Sequence, residues 1–417
     1  MRTYKALLTW GVVALGIVAG LATAARAEET KGPVTDALGV IVIPKGAPIQ
    51  LGSYYVLSGA DSALGIDQKR AVEIAIKDKG SMLVGHPIKI DFEDSLCNAE
   101  GGQTAATKLA AIPNLVIVIG PACSSEATPG APILWKAGIT DIGTSPTAPA
   151  LTASNRKPEY DGFVRTCYSD SEQGKSDAQY LHDVLKVNKI VTVHDGSPYA
   201  RGLALATEEN FKAKGGTVLS QEAVDPKDVD MHPLLTRIAS EKPEALYFPI
   251  FVAAGAQILR QAKDTPGLEK IPLIGSSGML AADLIEAAKD SVVGFHITYP
   301  DLSEQAMGKG YPAFVEKYKK AYGEAPIEGY HAYGYDGAEL AFRAIEKVAK
   351  TDAKGVTYIG KKALRDAVFG TTFDGISGPI ECDKYGECGK FHPAVYEFTS
   401  ADPKSFKIGV NPKKIWP

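Results

Sequence analysis

The sequence lacks the features that would draw it to nucleic acid, to a metal or to bond cleavage. Basic residues do not predominate: 45 Lys and Arg stand against 49 Asp and Glu, so nothing in the charge balance invites a phosphate backbone, and no nucleic-acid partner is expected. The five cysteines include no C-x-x-C pair and no Cys/His cluster with tetrahedral spacing, so neither a zinc site nor another metal centre is expected. The nucleophile elbow G-x-S-x-G is absent, since "GSSGM" at Gly275 and "GPACSS" at Gly120 lack its glycine frame. H-E-x-x-H is absent too. "GVTYIGKK", from Gly355 to Lys362, nearly spells a phosphate-binding loop, but Lys362 stands where a Ser or Thr must ligate magnesium. His194 is the single histidine at a predicted strand end beside an acid, and a solvated strand-end pair is its simpler reading. Repeats and low-complexity tracts are missing, and after residue 27 no apolar run is long enough to span a bilayer.

What is present begins with an export signal. Residues 1–27 carry early basic residues (Arg2, Lys5), an apolar stretch from Leu7 to Ala24 and the small-x-small ending Ala25-Arg26-Ala27, so cleavage before Glu28 and a periplasmic location are expected. Removing 27 of 417 residues leaves 390, more than one hydrophobic core usually covers, and two domains are expected. Three basic residues leave with the signal, so 42 face 49 acidic ones, a net charge near −7. All five cysteines (Cys97, Cys123, Cys167, Cys382, Cys388) lie in the exported part, where disulfides persist, and one must be left over.

Beyond Pro48, short apolar strands alternate with helix-length amphipathic segments. "HPIKIDFEDS" precedes a helix near 101–111, "NLVIVIG" one over 128–137, "KIVTVHD" one over 199–214, "EALYFPI" one over 252–263 and "IPLIGSS" one over 281–289. This alternation predicts parallel sheets covered by helices, a doubly wound α/β architecture in two lobes. A helical tail (313–322, 330–350, 361–368) and a late β region come next, while residues 28–46 have no evident partner. "GPACSSEATPG", Gly120 to Gly130, turns small and polar at the carboxyl end of the run Leu115–Ile119. In an α/β sheet that position is a crevice where amides and hydroxyls can meet a small anion. Ser124 or Ser125 could equally serve there as a helix N-cap, and on residue preference alone capping leads.

Several segments together resemble the periplasmic leucine/isoleucine/valine-binding proteins, the type I solute-binding components of ABC importers. "DSLCNAEGGQTAATKL", "GPACSSEATPGAPI", "GITDIGTSPTAPALT", "TVHDGSPYARGLA" and "AGAQILRQAK" occur in that family's order and approximate spacing, and the likeness spans residues 49 to 398. The resemblance implies two Rossmann-like lobes joined by a three-crossover hinge, with 47–166 and 297–375 in lobe 1 and 167–296 and 376–417 in lobe 2. It further implies a monomer without cofactor or enzymatic activity that captures a small carboxylate, by family default a branched-chain amino acid, between the lobes and delivers it to an ABC permease. A ligand-sensing domain working with a membrane receptor is the other role this fold serves. A secreted hydrolase built on Ser124 and His194 is the remaining alternative.

The family's carboxylate grip maps to Ser124, Ser145 and Thr147, whose hydroxyls can all donate; with this resemblance the ligand reading of Ser124 overtakes capping. Cys97 and Cys123 match a family disulfide. Cys382 and Cys388 flank "DKYGE", which reads as a hairpin turn, and are expected to form a second bridge; Cys167 remains, a small buried residue. The family's strand-end tyrosine is Tyr199. Two positions depart from the pattern: a family tyrosine aligns with Phe251, and the ammonium-binding glutamate of the G-x-E-G turn aligns with Ser277. A buried ammonium without an acid partner is worse off by several kcal/mol, so either another carboxylate compensates, with Asp195 and Asp301 as candidates, or the solute is an aromatic or 2-oxo acid, an amide or a urea-like compound. Phe251 and Tyr199 suit an apolar or aromatic body, or serve in ordinary lobe packing.

Overall fold

The computed structural model describes residues 28–303 and 305–417. The expected signal peptide, residues 1–27, lies outside them. Two sheets organise the chain. The first has six strands in the spatial order Met82–Leu83, His86–Asp94, Ile49–Tyr55, Leu115–Ile119, Asp141–Gly143 and Phe163–Arg165. All pair in parallel except the short Met82–Leu83, which is antiparallel to His86–Asp94. The second has seven: Thr217–Ala223, Lys189–His194, Ala245–Tyr247, Leu273–Gly275, His296–Pro300, Pro393–Glu397 and Lys413–Trp416. Its first five strands are parallel and its last two antiparallel.

Helices cover both faces of a parallel sheet, so its central strands read as unbroken apolar runs. Leu115–Ile119, LVIVI, is buried at every position, as are Ala245–Tyr247 and Leu273–Gly275. Each sheet carries its own large apolar core: one gathers Ile117, Ile142, Phe342 and Ile345, the other Val191, Leu246, Ile274 and Phe295. Two separate cores of this size are the physical content of two lobes.

The chain passes between the sheets three times: after Arg165, after Pro300, and between Cys388 and Pro393. Two crossings fall later than the expected boundaries at 296/297 and 375/376. His296–Pro300 stays in the second sheet because Pro393–Glu397 offers it an antiparallel partner along its whole length. Residues 386–388 stay with the first sheet: the Arg165 amide donates to the Gly386 carbonyl (2.9 Å) and the Cys388 amide to the Arg165 carbonyl (3.0 Å). Residues 28–46, unassigned from sequence, form a short hairpin and the strand Val40–Ile43, antiparallel to Thr357–Gly360. Asp36 accepts from the amides of Lys362 (3.0 Å) and Ala363 (2.9 Å) at the start of helix Lys361–Phe369. The glycine-lysine near-match thus ends in a helix whose N-terminus already holds an internal carboxylate.

Candidate functional site

The parallel strands of both sheets end at one cavity, and their terminal loops form its walls. From the first lobe come Ala122, Cys123 and Ser124 after Leu115–Ile119, and Ser145 and Thr147 after Asp141–Gly143. From the second come Tyr199, Phe251 and Ser277, each placed just beyond a strand of that sheet. All six residues singled out in the sequence line this one cavity. Its empty space, open mouth included, is about 570 Å³.

At the first wall, helix Ser124–Lys136 begins four residues earlier than its apolar pattern indicated, and Cys123 is its N-cap. Glu126 does the capping, accepting from the amides of Ala122 (2.7 Å) and Cys123 (2.6 Å). Neither serine caps: Ser125 donates to the Cys97 carbonyl (2.6 Å), and Ser124 Oγ accepts the Ala148 amide (3.0 Å). Among the described residues the Ser124 proton has no acceptor, and the amides of Ser124 and Ser125 have none either. A hydroxyl beside unsatisfied first-turn amides is the arrangement that receives a carboxylate. Ser145 differs from expectation, because its hydroxyl donates to the Ala122 carbonyl (2.7 Å) and accepts from Gln68 (2.8 Å). Its proton is therefore engaged in tying the two strand-end loops together.

Gly120 makes the approach to this wall possible. Its φ is +127°, and a Cβ there would lie 2.8 Å from the Tyr54 carbonyl oxygen. The disulfide Cys97–Cys123 fastens the next turn to the preceding unit, and Cys382–Cys388 closes the late loop; Cys167 is buried and free.

A fully buried arginine, overlooked in the sequence, holds the loop that carries Thr147. Arg165 donates to the carbonyls of Pro146 and Ala148 (2.9 Å each), to Thr152 (2.6 Å) and through Nε to Glu387 (2.6 Å). It thereby joins the strand-end loop to the Cys382–Cys388 segment. Close by, burial pushes the Asp170 carboxyl up to about 8 despite the opposing pull of the Thr147 hydroxyl and the Arg165 guanidinium.

On the second wall the Tyr199 phenol organises the turn of Ser276, Ser277 and Gly278. It accepts the Gly278 amide (3.0 Å) and lies 3.1 Å from Ser277 Oγ and 3.3 Å from Ser276 Oγ. The Phe251 ring packs against Tyr199 with centroids 5.3 Å apart. Gly278 permits this approach, since a Cβ would meet the Ile250 carbonyl at 2.8 Å and both rings within 3.2 Å.

The proposed compensating acids are corrected by the structure. Asp301 pairs with Lys414 (2.7 Å) and Asp195 accepts the Ser197 amide (2.9 Å); neither lines the cavity. Three other carboxylates do: Asp61 from the first lobe, Asp283 from the second, and Glu328 from the segment ahead of helix His331–Val348. Burial, with Asp195 near, pushes Asp61 up to about 6. Glu328 is raised well above the ordinary carboxyl range by burial and then by Asp67, Asp61 and Asp283. Among the described residues no lysine, arginine or histidine lines the cavity. His194 is not in the wall and accepts the Gly196 amide (3.0 Å), so Ser124 has no base beside it among those residues. Nor is any group of His, Cys, Asp or Glu among the described residues arranged to hold a metal ion.

Two α/β lobes, three crossings and a cavity at the carboxyl ends of both sets of strands define a bilobal solute-binding protein. A periplasmic binding protein family model matches residues 48–391, and the chain belongs to that family. The Leu/Ile/Val-binding protein BraC3 of Rhizobium johnstonii is 27% identical over 354 residues, covering 82% of this chain and 93% of the relative. A leucine-binding protein, LivK, from Thermotoga maritima superposes with a TM-score of 0.75 at 24% identity, covering 85% of this chain and 96% of that one. A solute-binding protein of an ABC transporter from R. palustris, solved with benzoate, gives 0.69 at 20% identity, covering 88% and 96%. Members of this family are solute-binding components of ABC transporters and not enzymes.

Proposed function

We propose that this chain is exported to the periplasm and, as a monomer, captures a small carboxylate solute between its lobes for an ABC permease. The observation that carries the reading is the Ser124 hydroxyl proton at the cavity wall, without an acceptor among the described residues, beside the amides of Ser124 and Ser125, likewise without one among them. These groups, with Thr147, hold the acid end; they stabilise its charge without a counter-ion, which leaves the solute free to depart. Phe251 and Tyr199 take the apolar body. By family default the solute is a branched-chain amino acid. Because acid and body contact different lobes, the solute favours the closed form, and that differential contact drives closure.

Ser277 favours a second reading, in which the solute is an aromatic or 2-oxo acid that needs no ammonium partner. The benzoate-bound protein of the same fold supports it, while the acids Asp61, Asp283 and Glu328 in the cavity wall oppose a solute that carries no positive group. Native mass spectrometry of protein purified without denaturation tests the proposal: a retained acid of small mass is expected. Protein free of any bound solute that also answers to no acid in a thermal-shift panel would remove the reading.

A further inference from the structure

Resting on that reading, we propose that Glu328 seats a cationic nitrogen of the solute, replacing the acid that Ser277 lacks, so that the protein takes amine-bearing acids in preference to nitrogen-free ones.

Glu328 is 7% exposed and lies in the cavity wall. Among the described residues no side chain donates to its carboxylate; the adjoining Gly329 amide is the donor beside it. A carboxylate so buried and so poorly partnered is costly unless a positive group arrives to meet it. Its backbone is meanwhile held firmly. Asp67 accepts from the Ile327 amide (3.0 Å), from Tyr318 (2.8 Å) and contacts His331 Nδ1 (2.9 Å), which also lies 2.8 Å from the Glu328 carbonyl. Asp67 is thus fully occupied in fixing the turn, and Glu328, unlike Asp67, lines the cavity, where Asp61 and Asp283 are the other acids.

The surroundings select the sign of the guest. Asp61 and Asp283 come from opposite lobes and both act on Glu328, so bringing the lobes together concentrates negative charge around the space between them. A nitrogen-free acid adds to that charge, whereas an ammonium or a similar cation relieves it. The acid-binding wall at Ser124 and the cation-binding wall at Glu328 are then two ends of one zwitterion site, with the apolar contact of Phe251 and Tyr199 beside them. The shared chemistry is a protonated nitrogen, on the α carbon or farther along the solute.

Calorimetry on wild type and Glu328→Gln, with L-leucine, L-ornithine, the 2-oxo acid of leucine and benzoate as probes, tests this. Wild type should bind at least one amine more tightly than either nitrogen-free acid, leucine marking an α nitrogen and ornithine a distal one. Glu328→Gln should weaken that amine by about 30-fold or more and leave the nitrogen-free acids unchanged or tighter. The wild-type ranking does not depend on how the variant folds. Preference for the 2-oxo acid or benzoate, or an unchanged amine affinity in Glu328→Gln, overturns the inference and leaves solute capture standing. No binding by any probe, together with no co-purified solute, overturns both.

Discussion

Replacing Arg165 with methionine removes a guanidinium that is 0% exposed and bonded to two carbonyls, one hydroxyl and one carboxylate. Breaking a buried ion pair by removing one partner typically costs about 3–5 kcal/mol. Here the Glu387 side chain is 25% exposed and can rehydrate, which puts the expected loss near the lower end, about 3 kcal/mol. Urea denaturation monitored by fluorescence reads this as a fall in midpoint at unchanged slope. The double variant Arg165→Met/Glu387→Leu separates the charge term from the rest. Removing the abandoned carboxylate should recover at least about 1.5 kcal/mol, while the carbonyls of Pro146 and Ala148 stay unpartnered and recovery stays incomplete. Solute affinity should remain about tenfold weaker in both variants, because the loop bearing Thr147 has lost its anchor. A loss below about 1 kcal/mol in the single variant, or no recovery in the double, would refute the anchoring role of this pair.

Two further outcomes concern groups around the same wall. Substituting Cys97 and Cys123 by serine should lower stability by about 3–4 kcal/mol in the chain-entropy model for a sequence separation of 26, measured by the same denaturation; a loss under about 1 kcal/mol would contradict it. The Asp170 carboxyl, raised by burial to about 8, binds its proton in the folded state when the unfolded chain has released it. Its contribution to stability is therefore present below the unfolded value of about 4 and is lost as pH rises through about 8. Asp170→Asn, which cannot ionise, should flatten the decline of stability between about pH 4 and 8, and an unchanged slope would show that Asp170 is ionised throughout.

Much of the site was legible because strand ends are: apolar runs such as Leu115–Ile119 and Ala245–Tyr247 end abruptly, and the residues just past each end must line the crevice. That logic, joined to the family likeness, brought Ser124, Ser145, Thr147, Tyr199, Phe251 and Ser277 to one cavity. The acids were missed for a different reason. Glu328 sits between Pro326 and Tyr330 with no periodicity to mark its direction, and only tertiary packing around Asp67 turns it inward. Arg165 was missed because its partners are mostly carbonyls, which carry no residue identity. The late crossing escaped likewise: residues 386–388 join the first sheet by backbone pairing with Arg165, a bond any sequence could make. The capping question at Ser124 was resolved by Glu126, three residues past the N-cap, reaching back as a capping-box acid does.

The most direct test of the central claim is calorimetry of the co-purified solute, or of L-leucine, on wild type and on Ser124→Ala. Losing a hydroxyl that donates to a carboxylate should weaken binding by about 10- to 100-fold, from about 1.5–3 kcal/mol for a hydrogen bond to a charged group. Equal affinity in the two proteins would mean that the acid end of the solute lies elsewhere.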